Sequence, residues 1–245
     1  MRPPIVLWAV PRSVSTAFER VMRARGDLTV FSEPFSAPYY FGEERVSHRS
    51  GEPSAHAHGH EWTKVVQDLM AAADERTVFV KDMAYHVSPR LDRELVGHFR
   101  NTFIVRHPGH TLRSLERLLP DFTEEEAGFE QQYRLMNLAL EASDEELIVI
   151  EGEDLRRSPG AVIEDYCRRV GLPFLPDSLR WQAGLLPDWR RWEDWHGDVA
   201  ASTGIRPPRG DPEPARPEGV DPAVYASCVE YYEKMVALGR VGRNV

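Results

Sequence analysis

Between an apolar run, Ile5–Val10, and a helix-forming stretch, Ala17–Arg25, the sequence places a turn reading Pro-Arg-Ser-Val-Ser-Thr from Pro11 to Thr16. The hydroxyls of Ser13, Ser15 and Thr16 and the guanidinium of Arg12 stand at a helix entrance, where unpaired N–H groups and the helix dipole favour an anion. The same turn also reads as Ser/Thr capping of an ordinary strand–helix junction. A second group lies in Phe-Ile-Val-Arg-His-Pro-Gly-His-Thr-Leu-Arg-Ser-Leu, where Arg106 ends an apolar run and Ser114 follows on the next helix. A third combines Lys81, Asp82, Tyr85 and His86, at the end of Thr-Val-Phe-Val-Lys-Asp-Met-Ala-Tyr-His-Val, with Glu33 in Phe-Ser-Glu-Pro-Phe. Such residues can move a proton. A neutral imidazole suits pH 7, whereas a glutamate needs burial or a raised pKa, so His86 is preferred over Glu33 as the base. Glu33 also reads as a capping or ion-pair residue, and Lys81 as a salt-bridge partner of Asp82 or Glu33.

These groups need a scaffold that brings strand ends together. Apolar bursts at Leu28–Phe31, Thr77–Val80, Asn101–Val105 and Glu146–Ile150 are short, and all but the first are β-branched, as buried parallel strands tend to be. Helical patterns alternate with them at Ala17–Arg25, Glu61–Ala73, Pro89–Gly97, Pro108–Leu119, Glu124–Ser143 and Pro159–Val170. The expected fold class is α/β: a three-layer, doubly wound, mostly parallel sheet, with Glu33, Lys81 and Arg106 at one carboxyl edge where ligands bind. Pro34–His60 and the proline-rich Ser202–Pro222 read as long loops over the sheet, and Pro222–Leu238 as a C-terminal helix capped by Asp221. One domain over residues 1–245 is expected, with a core at about 4–175 and a cover at about 176–245.

A nucleotide-binding P-loop reads G-x-x-x-x-G-K-[ST] between strand and helix. Registered on Thr16, it finds Ala9 and Val14 in place of glycines and Ser15 in place of lysine, which argues against ATP with magnesium. The Pro-Arg-Ser-Val-Ser-Thr turn paired with the Arg106–Ser114 unit resembles instead the P-loop-fold sulfotransferases that use 3'-phosphoadenosine 5'-phosphosulfate (PAPS). The segment Leu-Ile-Val-Ile-Glu-Gly-Glu-Asp-Leu, followed by a helix ending Arg-Arg-Val-Gly-Leu-Pro-Phe, is similar to a further block of that family, so the resemblance spans roughly residues 4–175.

The resemblance implies that Arg12, Ser13, Val14, Ser15 and Thr16 contact the 5'-phosphosulfate, and that Arg106 and Ser114 bind the 3'-phosphate. It implies Lys81 as stabiliser of the bridging oxygen, and His86 or Glu33 as base. Ser202, Thr203 and Gly204, near Arg206 or Arg209, stand in for the family's late basic segment, although a solvated proline-rich loop fits them equally. Val14 stands where the family carries glycine, and Ala17 where a tryptophan often stacks on adenine. Phe18, Trp192 or Trp195 is left to stack, while Trp189, Trp192 and Trp195, spaced by three, read first as one packed helical face. The implied reaction is sulfuryl transfer to a hydroxyl or amine of a small-molecule acceptor, leaving adenosine 3',5'-bisphosphate and needing no metal. A variant P-loop phosphotransferase and a non-catalytic bisphosphate binder remain as alternatives.

Composition narrows the partners. With 30 Lys plus Arg against 39 Asp plus Glu, the net charge of −9 argues against a nucleic-acid surface. Cys167 and Cys228 form no CxxC or Cys/His pattern, which fits a reducing cytoplasm, and the first apolar run is too short for a signal peptide or membrane span. His56, His58 and His60 alternate as metal ligands might along an extended chain. Without cysteine or acidic companions, they read instead as part of a loop that, with Phe35, Tyr39, Tyr40 and Phe41, shapes an acceptor pocket or lid. A homo-oligomer is left open.

Overall fold

The first apolar run forms β1, Ile5–Ala9, buried at every position, and becomes the central strand because apolar side chains on both faces need cover on both sides. The computed structural model describes residues 2–49, 61–208 and 214–241, so His56, His58 and His60 lie outside the described residues. Around β1 run β2 (Thr29–Ser32), β3 (Val78–Met83), β4 (Arg100–Val105) and β5 (Ile148–Glu151), in the order β2-β3-β1-β4-β5. All four pairings are parallel. The register sets Ala9 beside Met83 and Ile104, Ser32 beside Lys81, and Val105 beside Glu151, so the carboxyl ends share one edge. The order reverses at β1, and the crevice there is where such sheets take ligands.

The helices are α1 (Ser15–Ala24), α2 (Ser36–Phe41), α3 (Trp62–Glu75), α4 (Arg93–Gly97), α5 (Pro108–Leu118), α6 (Glu124–Ala127), α7 (Phe129–Ala142), α8 (Gly152–Arg157), α9 (Pro159–Arg169), α10 (Glu193–Ala200) and α11 (Pro222–Val241). Three expectations change. The helix expected over Pro89–Gly97 is a 3-10 turn, Ala84–Arg90, followed by α4, which starts where Asp92 accepts from Leu95 N at 2.8 Å. The long helix expected from Glu124 breaks at Gly128, whose φ of 78° no helix continues; a capping box of Thr123 and Glu126 opens the short α6 before it. The loop expected from Pro34 contains α2, whose Tyr39 and Tyr40 are buried against Tyr85 and His86.

Candidate active site

The turn after β1 is held in a conformation usually left to glycine. Arg12 (φ 64°), Val14 (φ 75°) and Glu33 (φ 47°) are the non-glycine residues with positive φ among the described residues, and all sit at the carboxyl edge. Strain of this kind costs about 1–3 kcal/mol per residue and gathers at functional sites. Val14 is the N-cap of α1 and offers no side-chain acceptor to the first turn, whose leading N–H groups are left for a ligand. The missing glycine is thus replaced by a strained valine that packs against the core and borders the cavity. Ser13 departs from expectation: it is buried, and its hydroxyl donates to Val10 O at 2.7 Å.

Above this edge lies a cavity of about 470 Å³, bordered by Arg12, Val14, Ser15, Thr16, Arg106 and Ser114. The two separate motifs meet directly, since Arg12 Nε donates to Ser114 Oγ at 2.8 Å and Arg106 Nη1 to Arg12 O at 3.3 Å. Burial lowers the Arg12 pKa, Asp198 opposing and Arg106 adding to the effect. Arg117, Arg156 and Arg206 also border the cavity, so an acidic protein gathers five guanidinium groups around one space. Glu153 braces Arg106 at 2.7 Å and Arg156 at 3.2 Å. Burial pushes the Glu153 carboxyl up, but the charge and hydrogen bond of Arg106 outweigh it and bring it below its ordinary range. Gly152 makes this packing feasible: a Cβ there would stand 2.7 Å from Ser13 O and 3.3 Å from Arg106 Cβ.

Proton chemistry faces the same cavity from the 3-10 turn that follows β3. His86 Nδ1 lies 2.6 Å from Asp82 Oδ1, and Asp82 is fixed in turn by the N–H groups of Phe35 (2.8 Å) and Met83 (2.7 Å). Burial raises the Asp82 pKa, while the hydrogen bond and charge of His86 oppose that rise. His86 Nε2 is buried without a hydrogen-bond partner, and His86 borders the cavity. From the sequence Asp82 stands beside Lys81 as a salt-bridge partner and has no assigned part in the proton transfer, although its i,i+4 spacing to His86 is a usable signal.

Lys81 does not border the cavity. Its side chain is fully buried beneath the edge, paired with Glu33 and 3.7 Å from Glu19 Oε2. Its placement matches the ion-pair reading: the register sets it beside Ser32 of β2, and Glu19 reaches it from α1. Burial raises the Glu33 carboxyl pKa, but the charges of Lys81, His86 and His196 and a hydrogen bond from Lys81 prevail and hold it at about 2. Glu33 borders the cavity, yet a carboxylate so acidic is a poor proton acceptor at pH 7.

The C-terminal cover supplies residues that the sequence reading missed. His196 on α10 is buried, borders the cavity and leaves Nδ1 without a partner. Burial, then the charge of Lys81, hold its pKa down at about 4 against the pull of Glu33. Of the expected C-terminal segment, Ser202, Gly204 and Arg206 border the cavity, whereas Thr203 is exposed and its carbonyl accepts from Trp181 N. The three tryptophans do not share one helical face: Trp189 is fully buried, while Trp192 and Trp195 reach the cavity. Phe18 cannot stack on a ligand because Phe79 and Tyr166 enclose it in the core.

Comparison with known proteins identifies the frame. The solved sulfotransferase domain from the Synechococcus PCC 7002 olefin synthase is similar over 96% of each chain, at 16% identity and a TM-score of 0.54. Two Arabidopsis thaliana proteins, branched-chain-amino-acid aminotransferase-like proteins 2 and 1, are each 26% identical over 212 residues, or 84% of this chain. The chain spans only 37% of the length of those relatives. The family model described as sulfotransferase domain matches residues 3–238, and with the parallel sheet and its cavity already in place, the chain belongs to the sulfotransferase domain family.

Proposed function

We propose that the protein transfers a sulfuryl group from PAPS to a hydroxyl or amine of a small-molecule acceptor. The observation that carries this reading is a single cavity with an arginine-rich, helix-headed cradle on one side and the Asp82–His86 pair on the other. When bound, PAPS supplies the sulfuryl group and leaves as adenosine 3',5'-bisphosphate. The residues present fit it: the 5' and 3' phosphates of one ribose are neighbours, and so are the two loops joined by Arg12 and Ser114.

Ser114 Oγ accepts from Arg12, which leaves its O–H to donate to the 3'-phosphate beside Arg106 and Arg156. Arg12 and the first-turn N–H groups of α1 hold the 5' end and absorb the charge that develops there, as fixed dipoles do without a metal's help. His86 Nε2 takes the proton of the acceptor, and Asp82 keeps Nδ1 protonated and steadies the imidazolium that results. Glu33 and Lys81 support the floor of the site rather than the proton transfer. Location in the cytoplasm and the absence of a required metal belong to the same proposal.

The test is thermal stabilisation by adenosine 3',5'-bisphosphate against ATP with magnesium. A melting shift with the bisphosphate that far exceeds the shift with ATP is expected. Stabilisation by ATP with magnesium alone would favour a phosphotransferase and overturn the reading.

A further inference from the structure

We propose that His196 sets acceptor specificity, its Nδ1 accepting a hydrogen bond from a second hydroxyl or amine on an aromatic acceptor. The inference rests on the sulfotransferase reading and names the substrate class of that site.

Two imidazoles border the cavity, and each has one buried ring nitrogen without a partner, His86 Nε2 and His196 Nδ1. Leaving a buried polar atom unpaired is unfavourable, so each of these calls for a partner, and a ligand in the cavity is in a position to supply it. The reacting group of the acceptor meets His86, so His196 needs a second group. Its ring is held in place: Trp189 lies against it at 4.9 Å, and Trp189 Nε1 donates to the buried Glu19 at 3.2 Å. The helix that carries it is tied to the phosphate turn by Arg12 Nη1, which donates to Trp195 O at 2.7 Å.

The ring stays neutral near pH 7 because burial and Lys81 oppose its charge, so it keeps one N–H and one bare lone pair, and with the proton on Nε2 that lone pair is at Nδ1. The wall around these imidazoles is aromatic, with Tyr40, Tyr85, Trp192 and Trp195, and the Tyr40 and Trp192 rings are 5.5 Å apart. Flat aromatic rings pack well against such walls. The two carboxylates that border the cavity are already matched, Glu33 by Lys81 and Asp198 by Arg12 and Arg206, so the second group on the acceptor is addressed by hydrogen bonding and not by charge.

The experiment compares phenol with the three benzenediols as acceptors for label from PAPS, in wild type, His196→Leu and His196→Asn. At least one benzenediol should exceed phenol in kcat/KM by about tenfold. The ratio should collapse toward one in His196→Leu and recover in His196→Asn, whose carbonyl oxygen can replace Nδ1. A structural role would not be rescued this way. Quenching of tryptophan fluorescence by the preferred diol, titrated with adenosine 3',5'-bisphosphate present, should show Kd weakened about tenfold in His196→Leu. Bisphosphate-induced stabilisation in each variant checks that it has folded, and His196→Asn keeps the test open if His196→Leu has not. Equal use of phenol and every diol by wild type, or an unchanged ratio in folded His196→Leu, would overturn the proposal. Transfer only to acceptors without a second donor would overturn it too. Failure of wild type to bind the bisphosphate would strike the sulfotransferase reading itself, a separately readable result.

Discussion

His86 and Glu33 border one cavity, yet their surroundings prepare them for different work. Asp82 orients the imidazole, while Lys81 locks the carboxylate in its ionised form. His86→Ala should therefore lower kcat by about 10²–10⁴ and leave bisphosphate affinity near wild type. Asp82→Asn should lower kcat as well and move the pH–rate profile, since the tautomer and orientation of His86 depend on it. Glu33→Gln should instead lower stability by about 3–5 kcal/mol, because it leaves the buried Lys81 ammonium poorly matched. Chemical denaturation separates the two outcomes: loss of turnover at wild-type stability in Glu33→Gln would return the base role to Glu33. Arg12, Ser15, Thr16, Arg106 and Ser114 could be placed at one site from sequence because the resemblance of their two motifs to a known family implies it, and all five border the cavity. Lys81 could not, since its fate depends on the Glu33 and Glu19 side chains brought to it by other elements. His196 had no local signal at all.

At the scale of elements, the strands were readable because a strand buried on both faces is written as an unbroken apolar run. Helix ends were less so. Gly128 stops a helical pattern that otherwise runs on, and α2 holds a proline and three aromatics in six residues, which propensity alone reads as loop. The turn between β5 and α8 shows how element packing positions the site. Gly152→Ala would drive a methyl group against Ser13 O and the Arg106 stem, parting the phosphate turn from its guanidinium. Bisphosphate affinity should fall at least tenfold, and stability by about 1–3 kcal/mol. Calorimetric titration with denaturant melts measures both, and wild-type affinity in Gly152→Ala would show that the close approach is dispensable.

The whole molecule is acidic around a basic cavity, and its buried ionisable groups predict how it responds to acid. His196 sits at about 4 against an ordinary 6.5, so the unfolded chain binds its proton first. Stability from this group is complete above pH 6.5 and falls as pH drops toward 4, by about 3 kcal/mol in all. Glu33, at about 2 against an ordinary 4.5, adds stability that holds above pH 4.5 and is lost as pH falls toward 2. The urea midpoint should therefore decline from pH 7.5 to 4.5 and again below that, and His196→Leu should flatten the upper step. Wild-type and His196→Leu midpoints that fall in parallel from 7.5 to 4.5 would contradict the burial of a neutral His196. The sequence could not reveal this, because the cover and the sheet edge meet only in three dimensions.

The central claim is tested most directly by following sulfur-35 from labelled PAPS into a broad panel of small hydroxyl and amine acceptors, with wild type and His86→Ala side by side. Wild type should deliver label to at least one acceptor while releasing an equal amount of adenosine 3',5'-bisphosphate, and His86→Ala should bind the bisphosphate but transfer at least a hundredfold more slowly. Wild type that binds the bisphosphate yet labels no acceptor, or His86→Ala that transfers at the wild-type rate, would contradict the account.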